Sequence, residues 1–225
     1  MSSTYLKLCQ DLRQEVGVAG TGLATVVGQT GMMAKIVKWI ADADITLQLR
    51  WLDWSFLWSQ FSQNTIANNY NIPAPSDFGE WDIDSFWLDY GTDPHKLRVM
   101  PYEDWRNTYP FSTTADKPSS VVVKPDNDLV LFPTPDAVYS FSADYWRTPT
   151  RLEDNGDTSP IPTRFDRAIV CQAKLFYAEH ENAPEVYQIA TTELGYLLSR
   201  MESLYLPGQK ARYKATDTDL VMVVE

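Results

Sequence analysis

Two cysteines and two histidines are all that 225 residues offer of the side chains that most often ligate transition metals or start nucleophilic attack. Cys9 and Cys171 stand far apart with no CxxC pair, and His95 and His180 have neither HExxH spacing nor a nameable third ligand. No metal and no disulfide are expected, and the two thiols read as small buried hydrophobes. Phosphate cradles are missing too: there is no GxxxxGK[ST] run, the cluster Gly17-Val-Ala-Gly20-Thr-Gly22 follows a helical pattern instead of a strand, and Gly28-Gln-Thr-Gly31 reads as a helix entry. No GxSxG elbow occurs, and Cys171 falls in the middle of a helical pattern where a thiol is inert. No cofactor is therefore expected. No run approaches the roughly 20 apolar residues that cross a bilayer, and Met1-Ser-Ser-Thr-Tyr5 lacks the layout of a signal peptide. The expectation is a soluble chain made in the cytoplasm, without a membrane. Basic residues are the last scarcity: 19 against 30 acidic ones give a net charge of −11, which opposes tight gripping of a phosphate backbone.

What is present is ordinary globular composition, with 44% hydrophobic and 22% charged residues, on a length at which about 70% of the extended chain's surface can be buried. Tyr5, Leu8, Cys9, Leu12 and Val16 recur at steps of three and four, which predicts an amphipathic helix ending at Gly17. Met33, Ile36, Val37, Ile40, Leu47, Trp51 and Trp54 fall on one side of a second, proline-free segment, predicting a helix from Thr30 to about Trp54.

Beyond Leu57 the pattern changes to short alternating runs separated by Pro, Asn and Asp: 61–66, 81–89, 97–100 and 121–123. Lys124-Pro-Asp-Asn-Asp128 between two β-favouring runs predicts a hairpin. Tyr139, Phe141, Ala143 and Tyr145 alternate with polar residues and predict a strand with one packed face; 102–109 reads as a helical turn or two. The polar stretch Leu152-Glu-Asp-Asn-Gly-Asp-Thr-Ser-Pro160 predicts a surface loop.

A third helix is expected from about Thr163 to Glu181, with Ile169, Ala173 and Phe176 inward, and a break at Asn182-Ala-Pro184 opens a fourth. That fourth helix carries Val186, Ile189, Ala190, Leu194, Leu197, Leu198, Met201 and Leu204, and stops at Leu206-Pro-Gly208. The expected organisation is thus 1–57, N-terminal helices; 58–150, a β-rich insertion; 151–208, a C-terminal helical hairpin; and 209–225, an extended tail. Neither helical pair closes a core alone, so the fold class is α+β: a four-helix bundle formed by the N- and C-terminal helices, with a central antiparallel β-rich insertion.

Glu80, Asp82, Asp84 and Asp89 beside Trp81, Phe86 and Trp87 are the one arrangement with an enzymatic reading, since glycoside hydrolysis needs paired carboxylates near aromatic platforms. Asp82 and Asp84, at i and i+2 of an expected strand, would share a face; acids beside aromatics are equally the mark of a solvated sheet surface. A tail-associated carbohydrate-binding or glycan-cleaving module is therefore the alternative function. Trp81, Trp87 and Trp105 lie in the insertion and read either as core or as anchors for a tail or neighbour interface. In the tail, Leu220, Val221, Met222, Val223 and Val224 form a β-favouring run with no partner of its own, and Lys210, Arg212 and Lys214 form a basic patch. The run could add as a strand to another subunit, steered by the patch toward an acidic surface, or it is a solvated end.

The order of these elements resembles the head-to-tail adaptor (connector) proteins of tailed bacteriophages, the podovirus-type portal adaptors. The resemblance rests on the opening helix ending in Glu15-Val-Gly17, on Val27-Gly-Gln-Thr-Gly31 leading to Ile36-Val-Lys-Trp-Ile40, and on Trp51-Leu-Asp-Trp54 with Phe56-Leu57. It continues through Leu131-Phe-Pro-Thr-Pro-Asp136, Tyr145-Trp146 with Pro149, Ile161-Pro162 and the helix break between Glu179 and Val186. What it implies is a four-helix bundle with a β insertion, a homo-oligomeric ring of twelve on the portal protein, a tail or nozzle protein on the far side, and a C-terminal tail reaching into the portal. It implies a virion location and no chemistry. Genomic DNA would pass through such a ring without sequence-specific binding, past an acidic lining that limits sticking.

Overall fold

A computed structural model describes residues 3–19, 22–91, 93–109 and 114–206. The chain divides into two compact units, one made of Met1–Leu57 and Pro149–Glu225 and the other of Trp58–Thr148.

In the first unit, α1 (Tyr5–Glu15) begins where the Thr4 side chain accepts from the Lys7 N–H at 3.3 Å, satisfying one of the orphan donors of the first turn, and it buries Tyr5, Leu8, Cys9 and Leu12. Gly17, with φ of +67°, takes the left-handed turn that ends it. Helix α2 (Gly31–Gln48) buries Ile36, Ile40, Ala41, Ala43, Asp44, Leu47 and Gln48. It stops six residues short of the Trp54 that periodicity alone predicts. The reason is tertiary: the Trp54 indole folds back so that Nε1–H donates to Leu47 O at 3.2 Å, and the Ser55 N–H donates to Tyr205 O at 2.9 Å. Trp54 is fully buried against Phe56, whereas Leu49, Trp51 and Leu52 of the intervening turn are exposed.

A 3₁₀ turn (Thr163–Phe165) leads into α4 (Asp166–Glu181), which Asn182 terminates in the left-handed conformation, and α5 (Pro184–Tyr205) starts with proline at its first turn. Helix α4 packs against α1, α2 and α5, and its buried set, Ala168, Ile169, Val170, Cys171, Ala173 and Ala178, extends over most of its circumference. Phe176, expected inward, is half-buried. Helix α5 leans on α4 with only Ala190, Leu194, Leu198 and Met201 buried. Ile189 and Leu204, expected on the same stripe, are exposed, because one neighbouring helix can cover only one narrow row.

The 152–160 loop departs from the expectation of a purely surface connection. Asn155 Oδ1 accepts from the Val26 N–H at 2.6 Å and from Thr25 Oγ1–H at 3.1 Å, Asp157 O accepts from the Tyr5 N–H at 2.7 Å, and Leu152 and Ser159 are buried. Its polar side chains serve as caps and latches for the N-terminal segment, which is why so hydrophilic a stretch can lie partly inside.

The second unit contains β1 (Trp58–Asn64), β2 (Asn71–Ile72), β3 (Phe78–Trp81), β4 (Trp87–Asp89), β5 (Pro94–Lys96), β6 (Arg98–Val99), α3 (Tyr102–Thr108), β7 (Ala115–Asp116), β8 (Ser120–Val123), β9 (Leu129–Phe132), β10 (Thr134–Pro135) and β11 (Ser140–Arg147). One sheet runs β1-β11-β4-β5, with β3 also on β11; a second runs β2-β9-β8-β6; β10 and β7 form a separate pair. The insertion was expected to be antiparallel, yet β6 pairs with β8 and β10 with β7 in parallel. These four are short strands, for which a two-residue parallel ladder costs little.

The hairpin at Lys124–Asp128 forms as predicted, β8 against β9, with Val121 opposite Leu131 and Val123 opposite Leu129. Asp128 then ties in β2: its carboxylate accepts from the Ala74 N–H at 3.0 Å and from Asn71 Nδ2–H at 3.1 Å, and these bonds hold it below its ordinary pKa. The alternation in β11 also holds, with Phe141, Ala143 and Tyr145 buried. They join Ile72, Trp81, Phe86, Leu88, Val121, Leu129 and Leu131 in one core drawn from both sheets.

Candidate functional site

Trp81, offered by the sequence as a possible interface anchor, is core: it is 5% exposed, its Nε1–H donates to Asn127 O at 2.8 Å, and its ring meets Phe61, Phe78, Phe86 and Tyr145. Of the two readings open for Trp81, core or anchor, the two-sheet packing places it in the core. Trp87 is 42% exposed on β4, opposite Ser142 of β11 and Lys96 of β5, and Trp105 on α3 is half-buried against Tyr70 and Tyr102. The remaining candidates, Lys210, Arg212, Lys214 and Leu220 to Val224, lie outside the described residues.

The carboxylate cluster does not assemble as a catalytic pair. The expected strand over 81–89 is broken into β3 and β4 by a turn at 82–86, so Asp82 and Asp84 never share a strand face. Asp82 Oδ1 accepts from the Asp84 N–H at 3.1 Å, and its carbonyl accepts from the Ser85 N–H at 3.0 Å, which is the local turn chemistry of aspartate. The Asp84 side chain is 94% exposed and faces Lys96 Nζ at 3.5 Å. Asp144 is held above its ordinary pKa by partial burial and then by the Asp82 charge, against which Gln60 hydrogen-bonds it in the charged form.

Titratable groups elsewhere serve structure. Burial pushes the Cys9 thiol up to about 12 and that of Cys171 to about 11, leaving both without thiolate character at neutral pH. His95 stands in β5 beside the Tyr90 ring, and His180 ends α4 in contact with Lys35 and with Glu181, the latter at 2.8 Å. Among the described residues no His, Cys, Asp and Glu are grouped so as to hold a metal ion, and no helix is long and apolar enough to cross a membrane.

Between α1, α4 and α5 lies a charged seam: Arg167 holds Glu193 through two parallel bonds of 2.6 and 2.9 Å, it also meets Glu15, and Lys174 reaches Glu15 at 2.9 Å. The guanidinium holds the Glu193 carboxyl below its ordinary range. Such a seam fixes the register of three helices and offers no vacant charge for a reaction.

What sequence reasoning missed is an uncovered surface on each unit. On the helical unit, Ile189 (64% exposed) and Tyr196 (61%) project from α5 one heptad apart, and a hollow at its C-terminal end is lined by Arg164, Phe165, Tyr196, Leu197, Arg200 and Leu204. Ile189 belonged to the stripe read as buried; an apolar stripe wider than its neighbour is visible only once the packing is known. On the β unit, Tyr70, Tyr109 and Phe132 join Trp105 around a cleft, brought together from α3, β9 and the approach to β2 with no shared motif.

These surfaces suit contacts between macromolecules. No curated protein matches the chain. The family model described as SU10 adaptor protein matches residues 3–215, nearly the whole chain and both units, in agreement with the collinear resemblance to phage head-to-tail adaptors. The chain accordingly belongs to the SU10 adaptor protein family, a family of structural adaptor proteins of phage.

Proposed function

We propose that this chain forms a closed ring, about one copy per portal subunit, that joins the portal to a tail or nozzle protein and surrounds the path of the DNA. The family match over residues 3–215 carries the reading. In it, α1, α2, α4 and α5 are the four-helix bundle of the adaptor. A ring closes through heterologous contacts, so each copy presents two different patches. The exposed Ile189 and Tyr196 of α5 are suited to one of them, since apolar groups of that size gain by being covered. Leu220 to Val224 then supply a strand to the portal and Lys210, Arg212 and Lys214 steer it, while the net charge of −11 keeps passing phosphates from sticking. The turn at 82–86 removes the shared strand face on which the glycan-cleaving alternative placed Asp82 and Asp84.

Quantitative mass spectrometry of purified particles, normalised to portal protein, tests the proposal. A ratio near one copy per portal subunit is expected. Absence of the chain from particles refutes the adaptor ring.

A further inference from the structure

The sheet β1-β11-β4-β5 has two edges, and they are finished differently. Strand β5 is three residues long and carries Pro94 and Lys96, the residue types that blunt an edge against a second chain. Strand β1 is seven residues long, Trp58-Ser-Gln-Phe-Ser-Gln-Asn64, without a charge or a proline. Its register against β11 runs from Trp58 opposite Trp146 to Asn64 opposite Ser140 with no bulge. Just beyond it the Thr65 N–H donates to Tyr139 O at 2.8 Å, which sets the alternation: Ser59, Phe61 and Gln63 bond to β11, while Trp58, Gln60, Ser62 and Asn64 turn N–H and C=O outward. Asp144, opposite Gln60, has the matching phase, since its carbonyl accepts from the Asp82 N–H on the far side of β11. No backbone bond among the described residues meets the outward groups of those four. Phe61 is half-buried on the inner side, where its ring meets Trp81 and Phe141.

We propose that in the portal-free chain this edge receives Leu220 to Val224 of a second copy as an added strand, and that docking moves the run from β1 to the portal. The inference rests on the reading of that run as the portal-binding strand. Of the residues outside the described ones, only 207–225 contain a β-favouring apolar run. Its five residues carry no charge, so in a chain of net charge −11 the run and the edge meet without like-charge repulsion. The stretch from Pro207 to Asp219 spans up to roughly 45 Å when extended, enough to leave one copy and reach the next. Backbone bonds to Gln60 and Ser62 supply affinity, and alternate apolar side chains fall beside Phe61 on one face and Trp58 on the other. Pairing of β1 with β1 of a second copy is two-fold and stops at two copies; a donor run and an acceptor edge on every copy make the heterologous contact that a ring needs. Left open, an uncharged edge and an uncharged β-favouring run are each a template for aggregation, and here each covers the other until the portal is met.

Amide hydrogen exchange resolved to single residues tests this on three chains: the full chain, the chain ending at Gln209, and the full chain with Met222→Pro, which keeps length and charge and breaks the added ladder. In the full chain without portal, the Gln60 and Ser62 amides are expected to exchange about tenfold more slowly than in the other two, while Phe61 and Gln63, bonded to β11, exchange alike in all three. Mixing isotopically labelled chain ending at Gln209 with unlabelled full chain should slow Gln60 and Ser62 of the labelled chain, which has the edge and no run. Full chain co-purified with portal protein should return to the fast rate. Equal rates in the full and shortened chains, slowing that persists in Met222→Pro, slowing that the mixture does not reproduce, or slowing that survives in portal-bound chain each overturns the proposal. Absence of the chain from purified particles refutes the adaptor ring and with it the transfer to the portal, while the mixture still decides the strand addition.

Discussion

Asp44 is a fully buried carboxyl near the C-terminal end of α2, and replacing it by asparagine should stabilise the protein at neutral pH. Two donors reach it, Ser159 Oγ–H and Gln48 Nε2–H, the latter at 2.8 Å, and Ser159 Oγ in turn accepts from the Ile161 N–H at 3.0 Å. Burial nonetheless wins over these bonds and raises the carboxyl from 3.8 to about 6. The folded chain therefore keeps a proton that the unfolded chain has lost between about pH 4 and pH 6. Stability falls as pH rises through that window, and above about 6 the full cost is present. At about 1.4 kcal/mol for each pH unit of displacement, this cost is about 3 kcal/mol. An asparagine at this position avoids it: the amide oxygen accepts from Ser159, and the amide N–H donates to Gln48 Oε1 once the Gln48 amide turns over, which leaves Gln48 Nε2 in place of Oε1 as the buried atom without a partner among the described residues. We expect Asp44→Asn to gain about 1–3 kcal/mol at pH 7, or about 2–4 °C in the Tm of the helical unit per kcal/mol, and nothing at pH 3.5. Urea unfolding followed by circular dichroism at 222 nm, at pH 3.5, 5 and 7, measures both the gain and the flattened pH slope. A variant that loses stability at pH 7, or keeps the native slope between pH 4 and 6, refutes the reasoning. Ser159→Ala should go the other way, by about 1–3 kcal/mol, because it strands both the carboxylate and the Ile161 N–H.

Gly79→Ala should destabilise the β unit by about 1–3 kcal/mol, because a Cβ there would stand 2.8 Å from Trp146 O and 3.1 Å from Thr148 N, both backbone atoms that cannot swing aside. Tryptophan fluorescence during thermal unfolding reads the loss, and an unchanged transition means that β3 can move away from β11. Truncation after Gln209 should leave the helical circular dichroism intact, since the last buried position of α5 is Met201, while weakening co-purification with portal protein. Full retention of portal binding removes the C-terminal segment from the docking contact.

Local signals were enough for α1, the β8–β9 hairpin, the buried face of β11 and the break between α4 and α5. In each case the cause lies within a few residues: the 3–4 spacing of Tyr5, Leu8 and Leu12, the turn chemistry of Lys124–Asp128, the alternation of Phe141, Ala143 and Tyr145, and the Asn182–Pro184 boundary. Helix α2 shows where this runs out. Trp51 and Trp54 keep helical spacing, yet the bond from Trp54 Nε1 to Leu47 O and the one from Ser55 N to Tyr205 O, contributed by a helix some 150 residues later, stop the helix at Gln48. The turn at 82–86 is the same lesson in a strand, because Ser85 Oγ accepts from the distant Asp144 N–H at 2.7 Å and holds the bend.

The sequence by itself determined the class of protein: acidic, short of cysteine and histidine, helical at both ends and β-rich between, and collinear with phage adaptors. These properties are sums over composition or patterns of short range, and no folding is needed to evaluate them. Only the tertiary structure decided which apolar groups are left over. Trp81 is core and Trp87 is exposed, Ile189 is uncovered while Ala190 beside it is buried, and Tyr70, Trp105, Tyr109 and Phe132 meet around one cleft. Residual exposure is the difference between what an element presents and what its neighbours cover, and the neighbours are fixed by contacts between residues far apart in the chain.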